Sequence, residues 1–351
     1  AGRAGDLIPG LEGRMILHAG PPIEWERRCV PQRLAAAGAC VLEGWAEDLD
    51  AGLALLESGD VEMAPAHSLG AAGAMAGIIS PSAAAWHVRD EASGIDAWTP
   101  FNDGPGDAFW LGVGGPEAVE RQRRMSEVVA PAFAAALASH GPLDIFGLLA
   151  QGLAMGDDCH MRHQATTMLL LRQLLPALAD TAPQAVASIG SLLGANGHFA
   201  LTLTIAACRS ALESIRGIAH SSLTTFISRN GTDAAVQLAG LPDQWFTAPA
   251  LMVGDPLYRP GFGDADAAPD IGDSALVECC GLGAAASAAS PSVAAFLGGG
   301  LADAVERTRA MERICIATSD LFRIPTLDGE GTPLGVDARA CLDLGETPLI
   351  N

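Results

Sequence analysis

The spacing of apolar residues changes character twice along the chain. Residues 14–18 read as a strand feeding a turn at Ala19-Gly20-Pro21-Pro22, and residues 28–47 then carry apolar side chains at helical spacing. A second helix over 48–57 ends at Ser58-Gly59, and predicted strands at 61–63 and 85–89 flank a Gly/Ala-rich stretch. Strand, helix and strand recur as in α/β units, so residues 1–115 read as an α/β N-terminal domain. From Pro116 the strand signal stops. Pro116 opens a helix, residues 117–140 place apolar groups three and four apart, and Gly141-Pro142 ends the run. Helices over 143–155, 161–179, 184–193 and 198–215 make 116–222 a mostly helical middle domain. A β-branched run over 223–228, the turn Arg229-Asn230-Gly231-Thr232 and a second run over 234–238 predict a hairpin. A Gly/Pro/Asp loop over 254–272 leads to a helix capped by Asp273 or Ser274, within a mixed α/β C-terminal domain, 223–351. The fold class is α/β in the broad, mixed α+β sense, multi-domain, with a mostly helical middle domain.

Composition narrows the function. The chain of 351 residues is 49% hydrophobic and 17% charged, the balance of a globular protein with a large core. With 20 basic and 41 acidic residues the net charge is −21, so nucleic acid is not an expected partner. Every basic residue among the 20 is Arg. A Schiff-base lysine, a pyridoxal-phosphate anchor and a Walker A lysine are therefore excluded. The eight cysteines form no C-x-x-C pair and lie in apolar surroundings, which points to reduced thiols and a cytoplasmic protein. Residues 1–10 carry no secretory pattern. The uncharged stretches 68–88 and 281–302 are broken by Pro81 and Pro291, so no membrane span is expected.

The densest polar cluster is Met155-Gly156-Asp157-Asp158-Cys159-His160-Met161-Arg162-His163-Gln164, at the junction of two predicted helices. Asp157, His160 and His163 are spaced by three, so on one helix they fan over one sector and could converge on a metal or a substrate. No second ligand set accompanies them. No cofactor is therefore expected, zinc on Asp157, His160 and His163 being the alternative, and His160 reads as a general acid/base or carbonyl polariser oriented by Asp157 or Asp158. His67 follows a strand and precedes a segment that lets backbone approach a ligand closely, the alternative being a satisfied structural histidine. Arg229 and Asn230 could hold a carboxylate or phosphate, or simply form the hairpin turn. Asn102 sits in a tight Gly104/Gly106 loop, Arg162 in the polar cluster, and Asp273 at the predicted helix start. Asp255, Asp264, Asp266, Asp270 and Asp273 lack calcium-loop spacing and read as a solvated loop. No G-x-S-x-G elbow is present. The expected site gathers His160, Asp157 and His67 as catalytic residues with Arg229, Asn230, Asn102, Asp273 and Arg162 as substrate ligands.

Seven segments stand in a familiar order: Leu17-His18-Ala19-Gly20-Pro21-Pro22-Ile23-Glu24-Trp25, Glu43-Gly44-Trp45-Ala46, Gly73-Ala74-Met75-Ala76-Gly77, Met155-Gly156-Asp157-Asp158-Cys159-His160, Ser228-Arg229-Asn230-Gly231-Thr232, Asp270-Ile271-Gly272-Asp273-Ser274-Ala275 and Gly331-Thr332-Pro333-Leu334-Gly335. In this the chain resembles, over nearly its whole length, the AllG (YlbE)-type family, which includes a subunit of oxamate carbamoyltransferase. The resemblance implies a cytosolic protein of anaerobic purine and allantoin nitrogen metabolism that acts with FdrA-type sister subunits to exchange oxalurate and phosphate for oxamate and carbamoyl phosphate. The chain departs from the family pattern in keeping only His67 of a histidine run and in having Asn102-Asp103-Gly104-Pro105-Gly106-Asp107 and Trp110 where a Lys and an Arg are usual. Each lost charge-assisted contact weakens phosphate binding by about 1.5–3 kcal/mol, which favours a neutral ring amide, imide or ureido compound. The expected activity is chemistry at an amide or carbamoyl C–N bond of a small ureido or amide substrate. Hydrolysis of a cyclic amide, imide or ureido compound and a non-catalytic subunit of a carbamoyltransferase complex are the alternatives. A homo-oligomer or a complex with sister subunits is the expected assembly.

Overall fold

The computed structural model describes residues 1–254, 263–264 and 267–351. Asp255 and Asp266 of the acidic loop lie outside the described residues.

Strand Met15–His18 pairs in parallel with Glu62–Pro65, and the crossover between them carries helices Val30–Leu42 and Leu49–Ser58. The local signals explain these elements. Pro31 sits in the first turn of one helix, Asp48 caps the other by accepting from Ala51 N at 2.9 Å, and Gly59 ends it with a φ of 80°. An antiparallel sheet, Gly2–Arg3, Ala84–Asp90 and Ile95–Pro100, packs beside this unit. Its third strand was not predicted, because Ile95-Asp96-Ala97-Trp98-Thr99-Pro100 alternates only weakly and ends in proline.

No strand falls between Pro100 and Leu223. Pro116–Arg124 runs through a widened turn at Met125–Val129 into Ala130–His140, followed by Ile145–Ala154, Gln164–Thr181, Val186–Ala195 and Leu201–Glu213. The last of these is buried almost all round and forms the central helix. Trp86 stacks on Phe101 at a ring separation of 4.1 Å, and Phe133 and Phe199 complete an aromatic cluster that joins the antiparallel sheet to the helices.

The predicted hairpin is part of a four-stranded sheet ordered Leu241–Pro249, Asp233–Leu238, Thr224–Asn230 and Ile271–Gly272. Two short 3-10 segments, Ser274–Cys280 and Gly283–Ala289, follow, then helix Leu301–Ile314 and the hairpin Cys315–Ile324 with Glu330–Val336. The 3-10 segments are wholly buried, and one core cluster around them contains Ala72, Leu149, Leu153, Phe226 and Val336. That cluster draws on residues from all three predicted domains, so their apolar faces cover one another. The architecture is mixed helix and sheet with several small sheets. No single described helix is long and apolar enough to cross a membrane.

Candidate functional site

Four of the sequence segments singled out above meet at Asp273. Its Oδ1 accepts from Gly20 N at 2.9 Å and from the Ser228 hydroxyl, and its Oδ2 accepts from Gly73 N at 2.9 Å. Asp273 N in turn donates to Gly73 O at 2.9 Å. The carboxyl is 1% exposed, and burial pushes its pKa up against the pull of the three donors. Asp273 was expected to cap a helix. Its side chain makes no capping bond to the Ser274–Cys280 segment, because both oxygens are taken by two loops and a strand. Backbones approach so closely here that a Cβ on Gly20, at φ 96°, would collide with Asn230. Asn230 Oδ1 accepts from Thr232 N and Asp233 N at 3.0 and 2.7 Å, and Nδ2 donates to Pro21 O at 3.2 Å. Arg229 donates to Asp270 Oδ2 at 2.8 Å and to Gly272 O at 3.0 Å. Its Nε and Nη1 are thus engaged within the protein, where the sequence reading expected the guanidinium to hold a carboxylate or phosphate.

At the other end of the 274–280 segment stands Glu278, fully buried, whose Oε1 accepts from His160 Nδ1 at 2.8 Å and whose Oε2 accepts from Ala284 N at 2.6 Å. The accepted proton fixes the imidazole tautomer and orientation, leaving Nε2 with no partner among the described residues. The ring belongs to an irregular loop, 155–163, because Cys159 takes a φ of 60° and breaks any helix there. Asp158 holds the loop: its Oδ1 accepts from His160 N and Arg162 N at 3.2 and 2.7 Å. Gly283 closes the opposite side, donating to Asp158 O at 2.7 Å with a φ of 59°, and a Cβ there would strike the Glu278 carboxylate. The carboxylate that orients His160 is therefore Glu278, correcting the assignment of that role to Asp157 or Asp158.

Asp157 serves the fold. It accepts from Arg162 Nη1 at 2.7 Å and from Thr166 N and Oγ1 at 2.7 and 2.9 Å, tying the loop to the start of Gln164–Thr181. Arg162 also reaches Gln164 Oε1 at 3.3 Å. His163 is fully buried with Nε2 3.1 Å from Thr204 Oγ1. Asp157, His160 and His163, the alternative zinc set, consequently face three different partners. No group of three or more His, Cys, Asp or Glu suited to a metal occurs among the described residues.

The remaining candidates lie elsewhere. His67 packs against Phe226 and Trp245, ring centroids 4.4 and 5.1 Å away, at the wall of a cavity of about 470 Å³ shared with Arg209, Arg216 and Gln237. Burial first, then Arg209 and Arg216, push its pKa far down, so the ring is neutral. Asn102 is buried in its loop, accepting from Gly104 N and Asn196 Nδ2 at 3.0 Å each. The structure brings together Arg229, Asn230 and Asp273 around one bracket, and His160, Asp157 and Arg162 around the loop next to Glu278, while His67 and Asn102 stand apart from both. Sequence reading missed Glu278. A single carboxylate inside Ser274-Ala275-Leu276-Val277-Glu278-Cys279-Cys280 was the available signal, since an acid in an apolar run is buried only with partners.

Comparison with known proteins follows the same outline. The family described as oxamate carbamoyltransferase subunit AllG matches residues 61–274. The chain is 38% identical over 353 residues to the oxamate carbamoyltransferase subunit AllG of Escherichia coli (strain K12), covering 99% of this chain and 84% of that protein. It is 33% identical over 348 residues to the uncharacterized protein YahG of the same strain, covering 99% of this chain and 74% of that one. A crystal structure of a conserved protein of unknown function from Enterococcus faecalis V583 superimposes with a TM-score of 0.96 at 32% identity, covering 99% of this chain and 84% of that one.

Proposed function

Since the chain belongs to the AllG family, we propose that it is a subunit of a carbamoyl-transferring enzyme and that His160 moves the proton at the carbamoyl C–N bond of a small amide or ureido substrate. The observation that carries the reading is the His160–Glu278 pair: a histidine 6% exposed, one ring nitrogen bound to a fully buried carboxylate and the other without a partner among the described residues. In carbamoyl transfer a nucleophile bonds to the carbamoyl carbon, the C–N bond breaks, and the departing amide nitrogen takes a proton. An imidazolium at His160 supplies that proton from Nε2, and in the reverse direction the neutral ring removes it from the attacking amide. Glu278 keeps Nδ1 protonated throughout and offsets the charge that forms on the ring.

The test is turnover of oxamate and carbamoyl phosphate by the chain assembled with its sister subunits, in wild type and His160→Gln. Loss of an acid/base group predicts a fall in kcat of about 100- to 10,000-fold with the circular dichroism spectrum unchanged. Near-normal turnover in a folded His160→Gln protein overturns the assignment and leaves the chain a non-catalytic subunit. Release of free carbamate without transfer points instead to hydrolysis.

A further inference from the structure

Away from the His160 loop, helix Pro116–Arg124 presents two guanidinium groups that no carboxylate of the described residues neutralises. Arg121 Nη1 donates to the backbone oxygens of Asp103 and Pro105 at 2.9 and 2.6 Å, and Arg124 donates to Ser188 Oγ from Nε at 3.0 Å and from Nη2 at 2.7 Å. Arg123, between them, pairs with Glu120 at 3.4 Å. Arg121 and Arg124 are three apart and so share one side of the helix. Both line a cavity of about 240 Å³ that is also lined by Ser188, Ser191 and Leu192 of helix Val186–Ala195. The widened turn Met125–Val129 begins directly after Arg124, and both of its end residues line the same cavity. Such turns interrupt helices frequently at functional sites.

The hydrogen-bonding inventory of the cavity points one way. Both lone pairs of Ser188 Oγ receive Arg124, so the hydroxyl proton is left to donate. Ser191 gives its proton to Ala187 O at 3.0 Å, and Asn196 Nδ2 is taken by Asn102. Arg121 Nε and Nη2 and Arg124 Nη1 have no partner among the described residues. Among those residues the one carboxylate at the wall is Asp103, 1% exposed, with Oδ2 accepting from Phe109 N at 2.7 Å and Gln122 Nε2 at 2.8 Å. Two cations and a hydroxyl donor therefore converge on one cavity, in a chain whose net charge of −21 otherwise repels anions. Beside these donors Met125, Val129 and Leu192 supply an apolar wall. The volume lies below the range of about 300–1,000 Å³ of drug-sized ligand sites, yet leaves room beyond a bare inorganic oxyanion.

We propose that this cavity binds a small organic acid, its carboxylate on Arg121, Arg124 and Ser188 and its apolar body against Met125, Val129 and Leu192. No residue of the 155–163 loop lines the cavity, so the site is separate from the His160–Glu278 pair and stands independently of the function proposed for that pair.

The experiment is calorimetric titration of the full chain with hexanoate, with hexan-1-ol, which lacks the anion, and with sulfate, which lacks the apolar body. Hexanoate should bind at one site per chain, and the alcohol and sulfate at least tenfold more weakly. Arg124→Gln, at an exposed position, should keep the urea-unfolding midpoint and weaken hexanoate binding tenfold or more, because a charge-assisted contact is lost. Ser188→Ala removes the hydroxyl donor and the anchor of Arg124, and it carries the same test should Arg124→Gln be destabilised. His160→Gln should bind hexanoate as the wild type does. Absence of hexanoate binding, or equal affinity in wild type and both cavity variants, overturns the site. Sulfate or hexan-1-ol binding as tightly as hexanoate overturns the organic acid as its ligand.

Discussion

His18 makes the stability of this protein depend on pH in a direction and size that follow from its surroundings. The side chain is 1% exposed at the end of strand Met15–His18, with Nδ1 donating to Ala19 O at 2.8 Å and Nε2 buried without a partner among the described residues. Burial, and next the nearby Arg28, lower its pKa to about 3, so the folded protein holds the neutral ring. In the unfolded chain the ring titrates near its ordinary 6.5. The folded pKa is depressed, so the stability tied to the neutral ring is fully present above pH 6.5 and is lost as pH falls toward 3. At pH 5 the loss is about 2 kcal/mol, since 1.5 pH units below the unfolded pKa at 1.36 kcal/mol per unit gives that figure and the folded form is still unprotonated. His163, fully buried with its pKa pushed well down by burial and then by His198 and His160, adds a loss of the same sign. Against a total stability of about 5–15 kcal/mol these are large fractions. Protonation of Asp103, Asp157 and Asp273, whose pKa values burial raises, acts in the opposite sense as pH falls.

A substitution isolates the His18 part. In His18→Phe the ring shape is kept, and Ala19 O still receives Gln32 Nε2 at 2.7 Å, so the change at pH 7.5 is expected to be within about 1 kcal/mol. Urea unfolding followed by tryptophan fluorescence at pH 7.5, 6.5, 5.8 and 5.2 should show the two stability curves converging or crossing as pH falls. The variant should gain nearly 2 kcal/mol on wild type over that range. Parallel curves, within about 0.5 kcal/mol, would refute the reasoning and mean that the folded protein solvates an imidazolium at His18.

Further expectations concern the two assemblies of the site. Asp273→Ala leaves Gly20 N, Gly73 N and the Ser228 hydroxyl buried without an acceptor, so it should cost about 3 kcal/mol or more in urea unfolding, and unchanged stability would show that water replaces the carboxylate. Gly283→Ala forces a side chain onto the Glu278 carboxylate from a left-handed backbone and should lower kcat with His160 still present, whereas wild-type kcat would show that Glu278 does not position the ring. Gly20→Ala should destabilise by about 1–3 kcal/mol through its collision with Asn230, measured by thermal unfolding.

Much of the fold was legible in the chain because it depends on local physics. The strand at Met15–His18, the helices closed by Gly59 and Gly141, and the Asn230-Gly231 turn each follow from residues within a few positions of one another. The family was legible too. The family that the ordered segments suggested is shown by a family match over residues 61–274 and by a relative 38% identical over 99% of the chain. The elements that escaped were those whose pattern depends on distant partners. Leu241–Pro249 is an exposed edge strand with little alternation, and residues 161–163 read as helical until Cys159 breaks the turn.

The site shows the same division more sharply. The sequence by itself determined that lysine chemistry is excluded, that Asp157–His163 concentrates polar groups, and that His160 is among them. It could not decide which carboxylate reaches the imidazole. Asp157 and Asp158 are three and two residues away in the chain, yet Asp157 is taken by Arg162 and the start of helix Gln164–Thr181 and Asp158 accepts from amides of its own loop, while Glu278, 118 positions off, arrives on a buried segment wedged under it. Nor could it show that Arg229 and Asp273 hold loops together instead of a ligand. Spacing along the chain reports which side chains share a local face, but hydrogen-bond partners inside a core are chosen by which backbones the packing presses together. That choice belongs to the tertiary structure alone.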